Sequence, residues 1–515
     1  MDNAMWFHSQ RAHELQFIAG VRDARGVLDL LRFVFDSDDV VAEAATRAVD
    51  GIVRRCDSAE LLRLDALIRE RSEWRWPDAT PAQLVRFSRG LVGVLGVLAS
   101  HSNGHVREAA VRALAGGHAG GELPFLLIRL NDWVPQVRLA ARPAVIDRAR
   151  PDYAGHFIRY LPLVFRLERV GRTDAREVIE PVLALLNRPD CREALHDAMT
   201  DGDRYVRRAV FRTLISASDD SAPEAVKLGM ASRDTLIRLM ASREGRVRLH
   251  GQELQALLYQ MMHDRLMPVR REALYGYFER LPAAAADRLE ASQFDPHASI
   301  RETARFLLRK LGERDPAAPY RDRLGDAETP DLPIAIAGLG EAGLAADAAL
   351  VERFLGHPSA AVRRETVRAL GRLDAGRYRE QFLAALADPA GGVVKAARQI
   401  VRRQLFGVPP ERLESIVQST AQPHSRRAVL SLIAELNWWD GAAMLITVVG
   451  MAEEEFRQRA LDYLNRWRAN GRRSTFRPAL EQIARLTQAR RQFGHLLDAV
   501  LLTDLDVHLD YARRL

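Results

Sequence analysis

Few residues in this chain are typed and spaced for chemistry, and each candidate has a competing explanation in its own neighbourhood. His101 and His105 are four apart, the spacing at which two imidazoles on one helical turn can share a metal. Asn103 and Gly104 lie between them and mark a turn, so His101 reads as a turn histidine. Gly338, Gly340 and Gly343 form a GxGxxG after the apolar run Pro333 to Ala337, a pattern that lets backbone approach a pyrophosphate. A dinucleotide fold also needs flanking parallel strands, and none is legible. Glycines recurring at Gly371 and near Gly312 suggest helix ends instead. His13 and Glu14 lack the second histidine of a zincin, and neither a P-loop nor a GxSxG elbow occurs. Cys56 and Cys191 are too few and too far apart for a disulfide framework or a zinc knuckle, which fits a reducing cytoplasm. No catalytic residue, metal ligand or cofactor is expected.

Charged side chains do recur at fixed register. Asp132, Asp201, Asp264, Asp295, Asp326 and Asp388 lie five residues before the anchor position of a recurring helical frame. Arg107, Arg138, Arg207, Arg238, Arg270, Arg301, Arg363 and Arg457 directly follow one. Such a ladder reads as an acid/base array, as a phosphate track, or as structure, with Asp taking orphan amides at a helix start and Arg bracing the next turn. Strict register favours structure, and Asp295 and Arg301 are expected to pair.

The aliphatic positions define the elements. Val206/Val210/Leu214, Ile300/Ala304/Leu308 and Val393/Ala397/Val401 are spaced as helix faces. The same frame catches Ile237/Ala241, Val269/Ala273/Tyr277, Val362/Thr366/Leu370 and Phe456/Ala460/Leu464, with weaker copies starting at Asp331 and His424. From 206 to 456 the starts are 31 or 32 residues apart every time. Val41, Val106 and Val137 open earlier copies, and Ala175/Ile179/Leu183 falls 31 before Val206, which places an insertion around Arg166 to Arg172. Each period has room for two helices, the first read from segments such as Pro124 to Leu130, Ala349 to Leu355 and Arg379 to Ala387, with Pro296, Pro358 and Pro389 stopping it.

This recurring Asp, Val/Ile, Arg, Ala signature resembles that of HEAT repeats, of bacterial type, over most of the chain. The resulting expectation is an all-α fold, an α-solenoid of about fourteen HEAT-like helix pairs. Its parts are N-terminal repeats with an irregular Trp-containing loop (1–100), repeats with an insertion (101–200), regular repeats (201–465), and a basic segment with capping helices (466–515). The resemblance implies a scaffold whose second helices line a concave face. One helix pair cannot bury its own apolar face, so neighbours must stack, leaving long open surfaces. HEAT-like DNA glycosylases use Trp and Asp on such a surface, which makes Trp133 beside Asp132 worth naming, although the ladder already accounts for Asp132.

Two features could bind a partner. Positions two and six after each anchor point away from the buried stripe. They read Arg208 and Arg212, Arg271 and Tyr275, Glu302 and Phe306, Arg364 and Arg368, Lys395 and Gln399, a mostly basic row that would suit an acidic peptide or a nucleic acid. Second, Arg466, Arg468, Arg472, Arg473, Arg477, Arg485, Arg490 and Arg491 face the single acid Glu481 within 26 residues, and this segment accounts for the whole net charge of +7. Trp467 and Phe476 interleave with it, so a polyanion is one reading and a solvated end is the other. Trp74 and Trp76 before Pro77 mark a further contact loop or an atypical repeat. The chain has 515 residues, 47% apolar and 28% charged, enough to fold, and no secretory signal or membrane span is expected. The reading is a cytoplasmic scaffold for a protein partner, with nucleic-acid binding as the alternative and a glycosylase-type enzyme third.

Overall fold

The computed structural model describes residues 2–70, 91–172, 174–217, 221–325, 329–451, 453–471 and 478–514. Within them every regular element is a helix. Trp74, Trp76, Pro77, Asp326, Arg472, Arg473, Phe476 and Arg477 lie outside the described residues.

Local sequence explains where helices begin. Asp38, Asn103, Asp203 and Asp234 sit at N-caps in extended backbone, and their side chains accept amides two or three residues on. The ladder aspartates are not these caps. They stand two residues earlier and close the turn instead: Asp132 accepts the Val134 amide at 2.9 Å, Asp264 that of Leu266 at 2.7 Å, and Asp388 that of Ala390 at 2.7 Å.

The chain divides into two compact units, Met1–Ala273 and Leu274–Leu515. In the first, pairs such as Leu123–Arg129 with Pro135–Ile146 stack in series. Gly104–Ala115 packs on Pro135–Ile146, and Leu123–Arg129 packs on Ala154–Arg166. The anchors Val41, Val106, Val137, Val206 and Ile237 are buried, each worth roughly 1.5–3 kcal/mol against exposure. Ala45, Ala110, Ala141 and Ala241, four residues on, are wholly buried and small enough for close helix approach. The insertion falls between Ala154–Arg166 and Arg176–Leu186, beginning with a 3-10 turn at Leu167–Arg169. Register is lost there: Ala175 and Leu183 are half-buried, and Val178, Ile179 and Val182 take the core.

In the second unit Leu332–Ala342 packs on Ala360–Leu373, that helix on Gly391–Arg403, and that on Pro423–Ile433. The weak start at His424 is one residue early: Ser425, Val429 and Ile433 are the buried positions, because an imidazole is costlier to bury than its small neighbour. The frame from Asp331 keeps Ala335 and Leu339 buried, while Asp331 itself pairs with Arg323 at 3.8 Å. The 466–515 segment is more regular than expected. Leu480–Phe493 packs on Trp438–Met451 and Ala499–Arg514 on Glu454–Gly471, with buried Leu501, Leu505 and Leu509 restoring the four-residue spacing. Apart from Asp2–Gly20 and Ser58–Glu70, the described helices fall into fourteen successive HEAT-like pairs, the α-solenoid class.

Candidate binding surfaces

The ladder is structural in detail. Arg107 donates Nε and Nη2 to Asp132 of the following turn at 3.0 and 2.9 Å, while Nη1 reaches back to the His101 and Ser102 carbonyls. Arg363 repeats this with Asp388 at 2.8 and 2.9 Å and with the His357 and Pro358 carbonyls. Arg238 meets Asp264 at 3.3 Å. Arg107 and Arg363 thus tie their own turn to the next one by charge-assisted bonds, and Arg238 does so as an ion pair. Burial pushes Asp388 up, but the Arg363 bonds and the Ala390 amide outweigh it and hold the carboxyl below its ordinary value.

Asp295 and Arg301 pair differently from expectation. Arg301 Nη1 donates to the main-chain carbonyl of Asp295 at 2.8 Å, and the Asp295 carboxylate accepts the His297 amide at 2.7 Å. The rest of the Arg301 guanidinium is bound to Glu341.

Other candidates resolve into packing. Asp132 is 0% exposed and also bonded by Arg69 and Arg129, so it presents no free carboxylate of the kind a glycosylase would use. Trp133 is 51% exposed, with the Arg69 and Arg107 guanidinium carbons 4.6 and 4.4 Å from its ring centre. His101 lies in the turn, its Nδ1 accepting the Asn103 amide at 2.9 Å. The glycine motif lies on Leu332–Ala342. A Cβ on Gly338 would meet the Tyr320 ring and one on Gly340 would meet Ala369, so these two are close-packing positions inside the helix, and only Gly343 is at its end. Burial pushes the Cys56 thiol up to about 11, far from a reactive thiolate.

The outward row is less basic than its sequence. In the first unit Arg208 pairs with Asp234 at 2.9 Å and Arg212 with Glu168 at 2.6 Å, the latter also lying 4.1 Å from the Phe165 ring centre. Arg271 is half-buried. In the second unit Tyr275 is half-buried, and Phe306 is 42% exposed with Lys310 Nζ 4.7 Å from its ring centre. Arg364 and Arg368 are brought together by Glu365, each at 2.8 Å, and Lys395 is exposed. The partner acids come from neighbouring helices or adjacent positions that the anchor frame does not register.

Much of the basic segment is neutralised in the same way. Arg485 binds Glu411 and buried Asp440, Arg490 meets Asp506 at 2.5 Å, and Arg468 lies 3.8 Å from Asp504. Arg466 and Arg491 are exposed and pair with no described carboxylate. Trp467 is buried, stacked on Trp438 at 4.2 Å and donating to the Trp438 carbonyl at 2.8 Å.

Sequence reasoning missed a cleft of about 230 Å³ in the second unit, walled by Val417, Leu430, Val448, Met451 and Phe456, with Arg426 among its polar lining. Its signal was present: five residues before the anchor Phe456, where the ladder calls for Asp, the chain has Met451.

No protein-family model matches the chain, and no curated protein does. Among solved structures it is similar to importin beta in a polyethylene glycol condition, at 11% identity over 92% of this chain and 68% of that one, with a TM-score of 0.40. It is also similar to a chain from the structure of Kap95p binding with RanGDP (12%, 95% and 66%, 0.37) and to Kap121p bound to the extreme C-terminus of the phosphatase Cdc14p (12%, 90% and 58%, 0.31). The chain therefore spans about two thirds or less of the length of these structures. Likeness at this level concerns the fold alone; the class rests on the helix pairs and ladder of the chain itself.

Proposed function

We propose that this protein is an interaction scaffold that binds a protein partner along the outward row of its second helices. The observation that carries the reading is the pairing of Arg208, Arg212, Arg364 and Arg368 with Asp234, Glu168 and Glu365. A phosphate track needs cations free to displace counterions. A surface of oriented, mostly paired arginines with a part-exposed aromatic, Phe306, matches a protein interface instead. A reducing cytoplasm of bacterial type fits the two buried free cysteines and the use of arginine in nearly all basic positions. Among the described residues no helix is long and apolar enough to cross a membrane.

The test is site-specific photo-crosslinking in native extract treated with nuclease. A benzophenone residue replacing Phe306 should yield one discrete protein adduct, lost in an Arg364→Glu/Arg368→Glu background. The same residue at Asp287, exposed on the first helix Pro282–Ser292, should yield none. Equal adducts at both positions, or none at 306, would overturn the reading. Nucleic-acid binding, the alternative, draws on exposed Arg466 and Arg491.

A further inference from the structure

Arg426 stands where Arg107 and Arg363 stand in their repeats, directly after a buried anchor position, here Ser425. Its Nε donates to the Thr420 carbonyl six residues back at 2.8 Å, as theirs reach back through Nη1. The next turn differs. Arg107 and Arg363 each meet a carboxylate there through two bonds, whereas the equivalent position for Arg426 is Met451, which is 58% exposed and lines the same cleft. The acid nearest to Arg426 is Glu453, 3.5 Å from Nη1 and 78% exposed. Beside this guanidinium lies the cleft of about 230 Å³, space for one large side chain.

We propose that the cleft is a peptide-binding site that takes a bulky apolar side chain adjacent to a carboxylate, the carboxylate bonding the Nη1 and Nη2 end of Arg426, since Nε is held by the Thr420 carbonyl. The apolar residue fills the space between Val417, Leu430, Val448 and Phe456, and the acid completes the charge-assisted pairing for which ladder arginines are placed. An exposed ion pair is worth little, so Glu453 yields to a better-placed carboxylate. Glu414, also on the lining and bonded by Gln418 at 3.1 Å, repels further acids and restricts the ligand to a single one. The site uses different residues from the outward row and stands or falls apart from it.

Peptides of sequence Gly-Leu-Asp-Gly-amide carrying fluorescein on the N-terminal amine, with Asn and Lys versions, would be titrated into the full chain by anisotropy, with methionine-methyl NMR locating the contact. The Asp peptide should bind and shift the Met451 methyl, with the Asn version about tenfold weaker and the Lys version not binding. Arg426→Gln should abolish binding and Glu453→Gln should tighten it. The decisive variant is Met451→Asp, which restores the ladder acid: it should block the peptide while raising the Tm, so that lost binding cannot be ascribed to unfolding. The proposal is overturned if the Lys peptide binds as well as the Asp peptide, if Met451→Asp binds unchanged, or if the folded wild type ignores the Asp peptide at millimolar concentration.

Discussion

Arg301 bonds the main-chain carbonyl of Asp295 at 2.8 Å and gives the remainder of its guanidinium to Glu341, forty residues further along the chain. Its side chain is 5% exposed and that of Glu341 12%, and Glu341 also takes Arg305 at 3.1 Å. Glu341→Gln strands both guanidinium groups, at a cost of about 3–5 kcal/mol, whereas Arg301→Met leaves Glu341 paired with Arg305. Glu341→Gln should therefore lower the urea midpoint more than Arg301→Met, and the double variant should lose less than their sum. Additive losses would mean that the two side chains do not act as a unit.

Gly340→Ala tests close packing in the helix Leu332–Ala342. Its new Cβ would lie 2.6 Å from the Cα of Ala369, and backbone cannot yield as a flexible side chain can. Overpacking of about 1–3 kcal/mol should exceed the gain of up to about 1 kcal/mol in helix propensity. Gly356→Ala, with nothing within 4 Å, serves as the control and should leave thermal unfolding unchanged.

Acid should unfold the protein through its paired aspartates. The Arg321 bonds hold Asp347 below the ordinary value and the Arg490 bonds do the same for Asp506; Asp388 is lowered too, Arg363 overcoming its burial. A depressed folded value stabilises fully above the unfolded pKa, about 3.9, and that contribution is lost as pH falls from there through the folded values. Urea midpoints should therefore hold from neutrality to about pH 5 and then drop steeply. In Asp388→Asn the neutral midpoint should be lower and its gap from wild type should narrow in acid.

Arginines of the C-terminal segment should separate by partner. Arg485 faces buried Asp440, so Arg485→Gln should lower the Tm, whereas Arg491→Gln should not. On immobilised DNA, neutralising Arg466 and Arg491 should each remove close to one unit from the slope of log affinity against log salt. Arg490→Gln should change that slope little, because Asp506 already takes its charge.

The repeat and its anchors were legible in sequence because burial imposes an apolar period on the chain. His424 was misplaced by one residue because the frame carries no information on which of two neighbours turns inward. The charge of the outward row was not legible for a different reason. Arg208 and Asp234 are 26 residues apart, and Arg212 and Glu168 are 44 apart, so charge balance there is a property of stacking and not of any window along the chain. Met451 was visible throughout as an exception to the ladder, but it reads as an exception only once Arg107 and Arg363 show what the rule accomplishes.

The substitution at Met451 has a mechanical side. In a linear stack, cooperativity is set by the coupling between nearest neighbours, and unfolding that begins in one pair spreads until it meets a weak coupling. Between Pro423–Ile433 and Glu454–Gly471 the two-bond clasp gives way to more exposed pairs, Arg426 with Glu453 at 3.5 Å and Arg427 with Glu455 at 3.9 Å, and the preceding second helix, Gly391–Arg403, has Val394 where that clasp would start. Amides of Trp438–Met451 and the helices after it should exchange with solvent as one block, at a lower opening free energy than those of Ala360–Leu373, which is clasped through Arg363. The second unit would then behave as two cooperative segments joined at Arg426, with the joint tightened when something supplies the carboxylate that the ladder position omits.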